Sequence, residues 1–187
     1  MQNKEQLDPR VVRTQHDVPA VALRLLIDEG WESVTPARVA EEAGYSRATV
    51  YAHWPDRTDL VRDAFSQYEE MPHFEPSGDP AIDLRGELVS FCRAMVESRL
   101  DRALATLAER AQTNPEIAPV RDRFVAAGEA QMRQTLGAFT EPIEFEASVQ
   151  MLCGMVTHSA LMHGSPPSDE VIDAAVGVVL RGLTQRA

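Results

Sequence analysis

Cysteine is scarce: the 187 residues contain two, Cys92 and Cys153, enough for at most one disulfide. Each sits among apolar residues of helical pattern, without a CxxC pair or a matching histidine, so both are expected as buried thiols and no metal site is expected. Also missing is any apolar run near the roughly 20 residues that span a bilayer. Residues 1–6 are polar with a single lysine and lack the apolar core of a secretory leader. A cytoplasmic protein with no membrane partner is therefore expected. No nucleophile–base pair, phosphate-binding loop, zinc spacing or paired-carboxylate motif occurs, so neither enzymatic activity nor a cofactor is expected.

Positive charge is scarce as well. A formal net charge of −11 excludes a protein that coats nucleic acid non-specifically, because that requires clustered lysine and arginine to neutralise phosphates. Residues 1–65 carry eight basic side chains against eleven acids, so most of the negative excess lies beyond them. Contact with DNA would have to come from a few well-placed groups.

What the chain does have is helical periodicity throughout and no strand pattern. Residues 1–16 read as a flexible polar arm. From Asp17, taken as an N-cap with Pro19 in the first turn, a helix runs through Leu23, Leu26 and Ile27 to a stop at Gly30, after which Trp31 folds back as an anchor. Thr35-Pro36 opens a second, short helix that ends at Gly44. Ser46 caps a third, from Arg47 to Trp54, which Pro55 closes. Asp56-Arg57-Thr58-Asp59 opens a fourth.

Three prolines and a glycine between Met71 and Pro80 then mark the boundary of a reader at residues 17–70. Beyond it, residues 71–187 form a helical body, with helices expected near 81–98, 99–113, 115–139, 145–163 and 169–186. Breaks fall at Asn114-Pro115, Glu141-Pro142 and Gly164-Ser165-Pro166-Pro167. The fold class is all-α.

At about 100° per residue, Val50 and Trp54 form one edge of the third helix, while Ala48 and Ala52 fall opposite. Small side chains there let a backbone approach closely, and Arg47, Thr49, Tyr51 and His53 ring them with hydrogen-bonding groups. Such a face suits a major groove, although surface helices carry similar mixtures by chance.

The wider arrangement is that of a helix-turn-helix unit over residues 34–53. It resembles the TetR family through Glu29-Gly30-Trp31, Val34-Thr35, Val39-Ala40, Ala43-Gly44-Tyr45-Ser46, Thr49-Val50-Tyr51-Ala52-His53-Trp54 and Arg57-Thr58-Asp59-Leu60. The resemblance spans about residues 14–65. It implies a DNA-binding set in which Thr35 caps the second helix against a phosphate, Arg47, Ala48 and Thr49 face bases or nearby backbone, Tyr51 and His53 hold phosphates, and Arg57 clamps the backbone from the fourth helix. Relatives often have glycine at the Ala48 position and an aromatic at the Ala52 position, so one aromatic contact is missing here.

The resemblance further implies homodimerisation through the last two helices, a palindromic double-stranded operator and a small-molecule effector bound in the body, whose binding releases a repressor from DNA. Met151, Leu152, Met155, Val156, Ser159, Ala160 and Met162, with Ile172, Ala175, Val176, Val179, Leu180 and Leu183, supply the apolar faces for the dimer, or else complete the core of one chain. Phe91, Met95, Phe124, Met132, Phe139 and His158 are candidates to line the effector cavity, or else plain core. The alternative function is a ligand-binding or protein-interaction module that has lost DNA reading.

Overall fold

A computed structural model of the chain describes residues 9–66, 68, 73–137 and 142–184. Among these residues every regular element is helical: α1 (Pro9–Glu29), α2 (Pro36–Ala43), α3 (Arg47–His53), α4 (Arg57–Ser66), α5 (Pro80–Glu97), α6 (Leu100–Thr113), α7 (Ala118–Leu136), α8 (Pro142–His163) and α9 (Asp169–Thr184), with one 3-10 turn at Trp31–Ser33. None of these helices is long and apolar enough to cross a membrane. The chain divides into two compact units, one of residues 1–70 with 106–124 and the other of 71–105 with 125–187. Helices α6 and α7 thus each contribute to both units.

α1 corrects the expected helix start. It runs from Pro9 through Pro19, and Thr14 and Val18 are buried in step with Ala22 and Leu25, so the apolar face begins before Asp17. Asp17 is not a cap. It accepts a 3.0 Å hydrogen bond from the Tyr45 hydroxyl and lies 3.4 Å from Arg13. The Tyr45 hydroxyl, with His16 and Arg13, holds the Asp17 carboxyl below its usual range. The expected flexible arm therefore already contains helix at residues 9–16; residues 1–8 lie outside the described residues.

The core of the first unit is built by α1, α2, the end of α3 and α4 on Leu25, Leu26, Val39, Trp54, Leu60 and Phe65. Phe124 packs edge-on against Phe65 and Tyr68, with ring centroids 5.4 and 5.7 Å away, which makes it part of this core.

In the second unit α5 packs with α8 and α9. The segment ahead of α5 is strapped onto that helix by two buried carboxylates. Glu87 accepts from the Phe74 N–H at 2.6 Å and pairs with His73 at 3.1 Å. Asp83 accepts from the Ser77 hydroxyl and N–H, both at 2.7 Å, and from the Gly78 N–H at 3.2 Å. The Phe74 ring lies against Gly86, where any Cβ would overlap it.

The Ser77 hydroxyl and N–H, joined by the Gly78 N–H, hold the Asp83 carboxyl below its usual range. A depressed folded pKa contributes stability that is present above the unfolded value and lost as pH falls through the folded one. Asp83→Asn is therefore expected to lower the thermal midpoint at neutral pH, with the difference from the unaltered chain narrowing below about pH 4. Thermal unfolding across a pH series measures this.

Burial pushes the Cys153 thiol up to about 12 and the Cys92 thiol up to about 11, so both stay protonated at neutral pH. Cys153 donates to the Met132 sulfur at 3.7 Å, and Met132 and Met95 are buried. Phe91 is half-buried. His158 is exposed, 5.1 Å from the His163 ring, contrary to its expected place in the cavity lining or the core. Phe139 lies outside the described residues.

Candidate nucleic-acid interface

The turn between α2 and α3 follows from backbone chemistry. Pro36 occupies the first helical position of α2, and the Thr35 hydroxyl caps the helix by accepting the Arg38 N–H at 3.2 Å. Gly44 ends α2 in the left-handed region, at φ 73°, a conformation that costs a residue with a Cβ. The Tyr45 N–H then donates to the Ala40 carbonyl at 3.0 Å and the Gly44 N–H to that of Glu41 at 3.3 Å, which reverses the chain within two residues. Ser46 caps α3, accepting the Thr49 N–H at 3.1 Å.

Burial then decides which face α3 presents. Val50 and Trp54 are sealed in the core, and the Trp54 indole N–H donates to Asp63 at 2.7 Å. Arg47, Ala48, Tyr51, Ala52 and His53 are exposed, with Thr49 half-buried. Tyr51 keeps 46% of its surface accessible. The Thr49 hydroxyl shares a 2.8 Å hydrogen bond with that of Ser46, and the His53 ring stands 5.5 Å from that of Trp54. Six of the expected residues, Thr35, Arg47, Ala48, Thr49, Tyr51 and His53, are therefore gathered at the start of α2 and along α3.

Electrostatics single out Arg47. The other arginines with described side chains on α1 to α4 all have carboxylate partners: Arg13 with Asp17 at 3.4 Å, Arg24 with Glu42 at 2.8 Å, Arg38 with Glu29 at 2.9 Å, Arg57 with Glu32 at 3.0 Å and Arg62 with Asp59 at 2.7 Å. Arg47 makes no ion pair among the described residues. It borders an open depression with Thr35, Ala37, Arg38, Glu41 and Glu42.

Arg57 departs from the rest of the set. Its Nε donates to the Val34 carbonyl at 2.8 Å, its Nη1 to the Glu32 carboxylate at 3.0 Å and its Nη2 to the Glu32 carbonyl at 3.4 Å. Sequence reasoning missed this engagement, because the partners lie 23 and 25 residues upstream.

On α8 and α9 the residues expected at the dimer face differ in exposure, with Met155, Ser159, Ala160, Ala175, Leu180 and Leu183 half-buried. Leu152, Val156, Ile172, Val176 and Val179 are buried within the chain, so these members of the expected dimer face complete the core of the second unit. A separate stripe faces outward: Met151, Gly154, His158, Leu161 and Met162 on α8, and Val171, Ala174, Val178 and Gly182 on α9.

Comparison with known proteins bears on both units. Residues 20–64 match the family described as bacterial regulatory proteins, tetR family, and residues 74–179 match a tetracyclin repressor-like C-terminal domain. An HTH-type transcriptional regulator of Mycobacterium tuberculosis is 30% identical over 177 residues, covering 89% of this chain and 86% of its own. Among solved structures, a transcriptional regulator of Rhodococcus sp. Rha1 is similar with a TM-score of 0.73, at 20% identity, over 90% of this chain and 97% of that one. The multidrug binding protein EbrR, complexed with ethidium, is similar with a TM-score of 0.66, at 22% identity, over 88% of this chain and 97% of that one.

Proposed function

This chain belongs to the TetR family of DNA-binding transcription regulators, and from that premise we propose that it is a repressor: a two-fold dimer that grips a palindromic operator with α3 and releases it when a small molecule binds the second unit. The observation that carries the DNA-reading part is Arg47, exposed and without an ion-pair partner among the described residues, at the head of a helix whose outward face is otherwise alanine, hydroxyl and imidazole. A guanidinium so placed suits a guanine edge, and the two alanines let the backbone approach the groove. Thr35, Arg47, Ala48, Thr49, Tyr51 and His53 form the DNA-binding set in this reading.

The outward stripes of α8 and α9 support the dimer. Two copies joined through them form a four-helix interface, with Gly154, Ala174 and Gly182 allowing close approach. EbrR, of similar fold, holds ethidium, which supports a small-molecule effector. Release requires that the effector bind the DNA-incompetent state more tightly, and a tenfold loss of operator affinity needs about 1.4 kcal/mol of coupling.

Selection of bound fragments from genomic DNA by the purified protein tests the reading, with footprinting of the winners. A short palindrome is the expected result, and the absence of any enriched sequence would oppose it. Because the reader arginines other than Arg47 are internally paired, affinity for the selected site is expected to fall only gently with salt. Its log–log slope should be no steeper than about −4, given roughly 0.9 per neutralised phosphate.

A further inference from the structure

Arg57 occupies the position at which the resemblance implies a clamp on the DNA backbone, and its surroundings give it other work. All three guanidinium nitrogens donate within the chain, to the Val34 carbonyl and to the carboxylate and carbonyl of Glu32. The guanidinium carbon stands 5.6 Å from the centre of the Trp31 ring, and that of Arg110 on α6 stands 5.3 Å from the same ring. Arg110 also reaches the Glu32 carboxylate, at 3.8 Å. Trp31 and Glu32 are thus held by two arginines at once.

The individual contacts differ in weight. Glu32 is 75% exposed, so its ion pairs are screened and contribute little. The bond to Val34 is the stronger: Val34 is fully buried, and a charged donor on a carbonyl shielded from water resists both salt and competition. Val34 immediately precedes Thr35, whose hydroxyl caps α2. The Nε–H of Arg57 consequently fixes the peptide from which α2 starts, and with it the direction of the Thr35 hydroxyl.

We propose that Arg57 is a positioning residue for the DNA-reading surface, bolting the start of α4 to the turn ahead of α2, and does not bind phosphate. The proposal rests on the reading of α2 and α3 as that surface. A phosphate reached through the Nε–H would cost the bond to a buried carbonyl, and one reached through either Nη would compete with Glu32 for the guanidinium, in a unit where Arg47 already offers a cation without an ion pair among the described residues.

Lysine keeps the charge and loses the planar fork, and glutamine loses both, so the pair of substitutions separates the roles. The experiment measures the full-length Arg57→Lys and Arg57→Gln proteins against the duplex that the unaltered chain selects from random-sequence DNA, over a salt series, together with their thermal midpoints. Positioning predicts that both lose roughly tenfold in affinity, that both keep the salt slope of the unaltered chain, and that both midpoints fall by about 3 °C. Full affinity and an unchanged midpoint for Arg57→Lys, with a slope shallower by about 2 for Arg57→Gln, one phosphate for each protomer of the dimer, is the signature of a phosphate contact and overturns the proposal. If the unaltered chain selects no duplex, it is the DNA-binding reading that fails. The midpoints then judge only the bolt between α4 and the turn ahead of α2: a drop for both variants sustains that bolt, and unchanged values overturn it.

Discussion

Arg47→Ala is expected to abolish high-affinity operator binding while leaving the fold intact. The side chain is exposed at the first position of α3, and the cap of that helix is made by Ser46, so helix content and thermal midpoint should match those of the unaltered chain. A well-placed arginine contact to a base is worth about 1–3 kcal/mol, and a palindrome presents it twice, so affinity should fall by roughly a hundredfold. Nothing nearby compensates, because Arg24, Arg38 and Arg62 are held by Glu42, Glu29 and Asp59. Arg62→Ala, by contrast, removes a cation already neutralised and should change affinity by less than about threefold. Titration of labelled operator with both variants decides the matter; equal, small losses would remove Arg47 from the reading surface.

The second large effect is expected at Val178. It lies on the outward stripe of α9, 53% exposed in the single chain, in line with Val171, Ala174 and Gly182. In one chain a glutamate there is solvated and harmless. Between two chains it becomes a buried, unpaired charge costing several kcal/mol, enough to weaken association at least a hundredfold. Val178→Glu should therefore halve the mass measured by light scattering at low micromolar concentration, with unchanged circular dichroism. Operator affinity should fall with it, since a monomer engages one half-site and loses the gain from the linked second. An unchanged mass would place the dimer contact elsewhere or leave the chain monomeric. Val176→Glu, two residues away on the opposite face of α9 and only 4% exposed, is the contrasting case, in which the fold itself should fail.

The helix-turn-helix was legible because its determinants are local. Thr35 and Ser46 cap the helices they were expected to cap, and Gly44 takes the left-handed turn between them. These are choices made within four or five residues by hydroxyls, a missing Cβ and a missing N–H. The same local logic misplaced the start of α1, where Asp17 and Pro19 resemble a cap and first turn, while half-buried Val11 and buried Thr14 continue the face of Val18, Ala22 and Leu25 further upstream. A packed face outweighs a cap signal, since the cap contributes about 1 kcal/mol and each buried aliphatic side chain more.

Pattern was ambiguous wherever a helix is apolar on more than one side. α8 carries Leu152 and Val156 on one face and Met151, Leu161 and Met162 on another, and periodicity does not say which meets the chain's own core. Neither could it assign residues 106–124 to the first unit, place Phe124 against Phe65 and Tyr68, or show that Arg57 reaches back to Val34.

Short-range chemistry in the chain thus settled that this protein is helical, where most helices stop, and that α3 presents small and hydrogen-bonding residues on its outward side. Which cations remain available, which apolar stripe stays open and which arginine serves as a bolt depended on partners tens of residues apart. Those pairings arise when helices pack, because a charge or a methyl group acquires its role from whatever the fold places within a few ångströms of it.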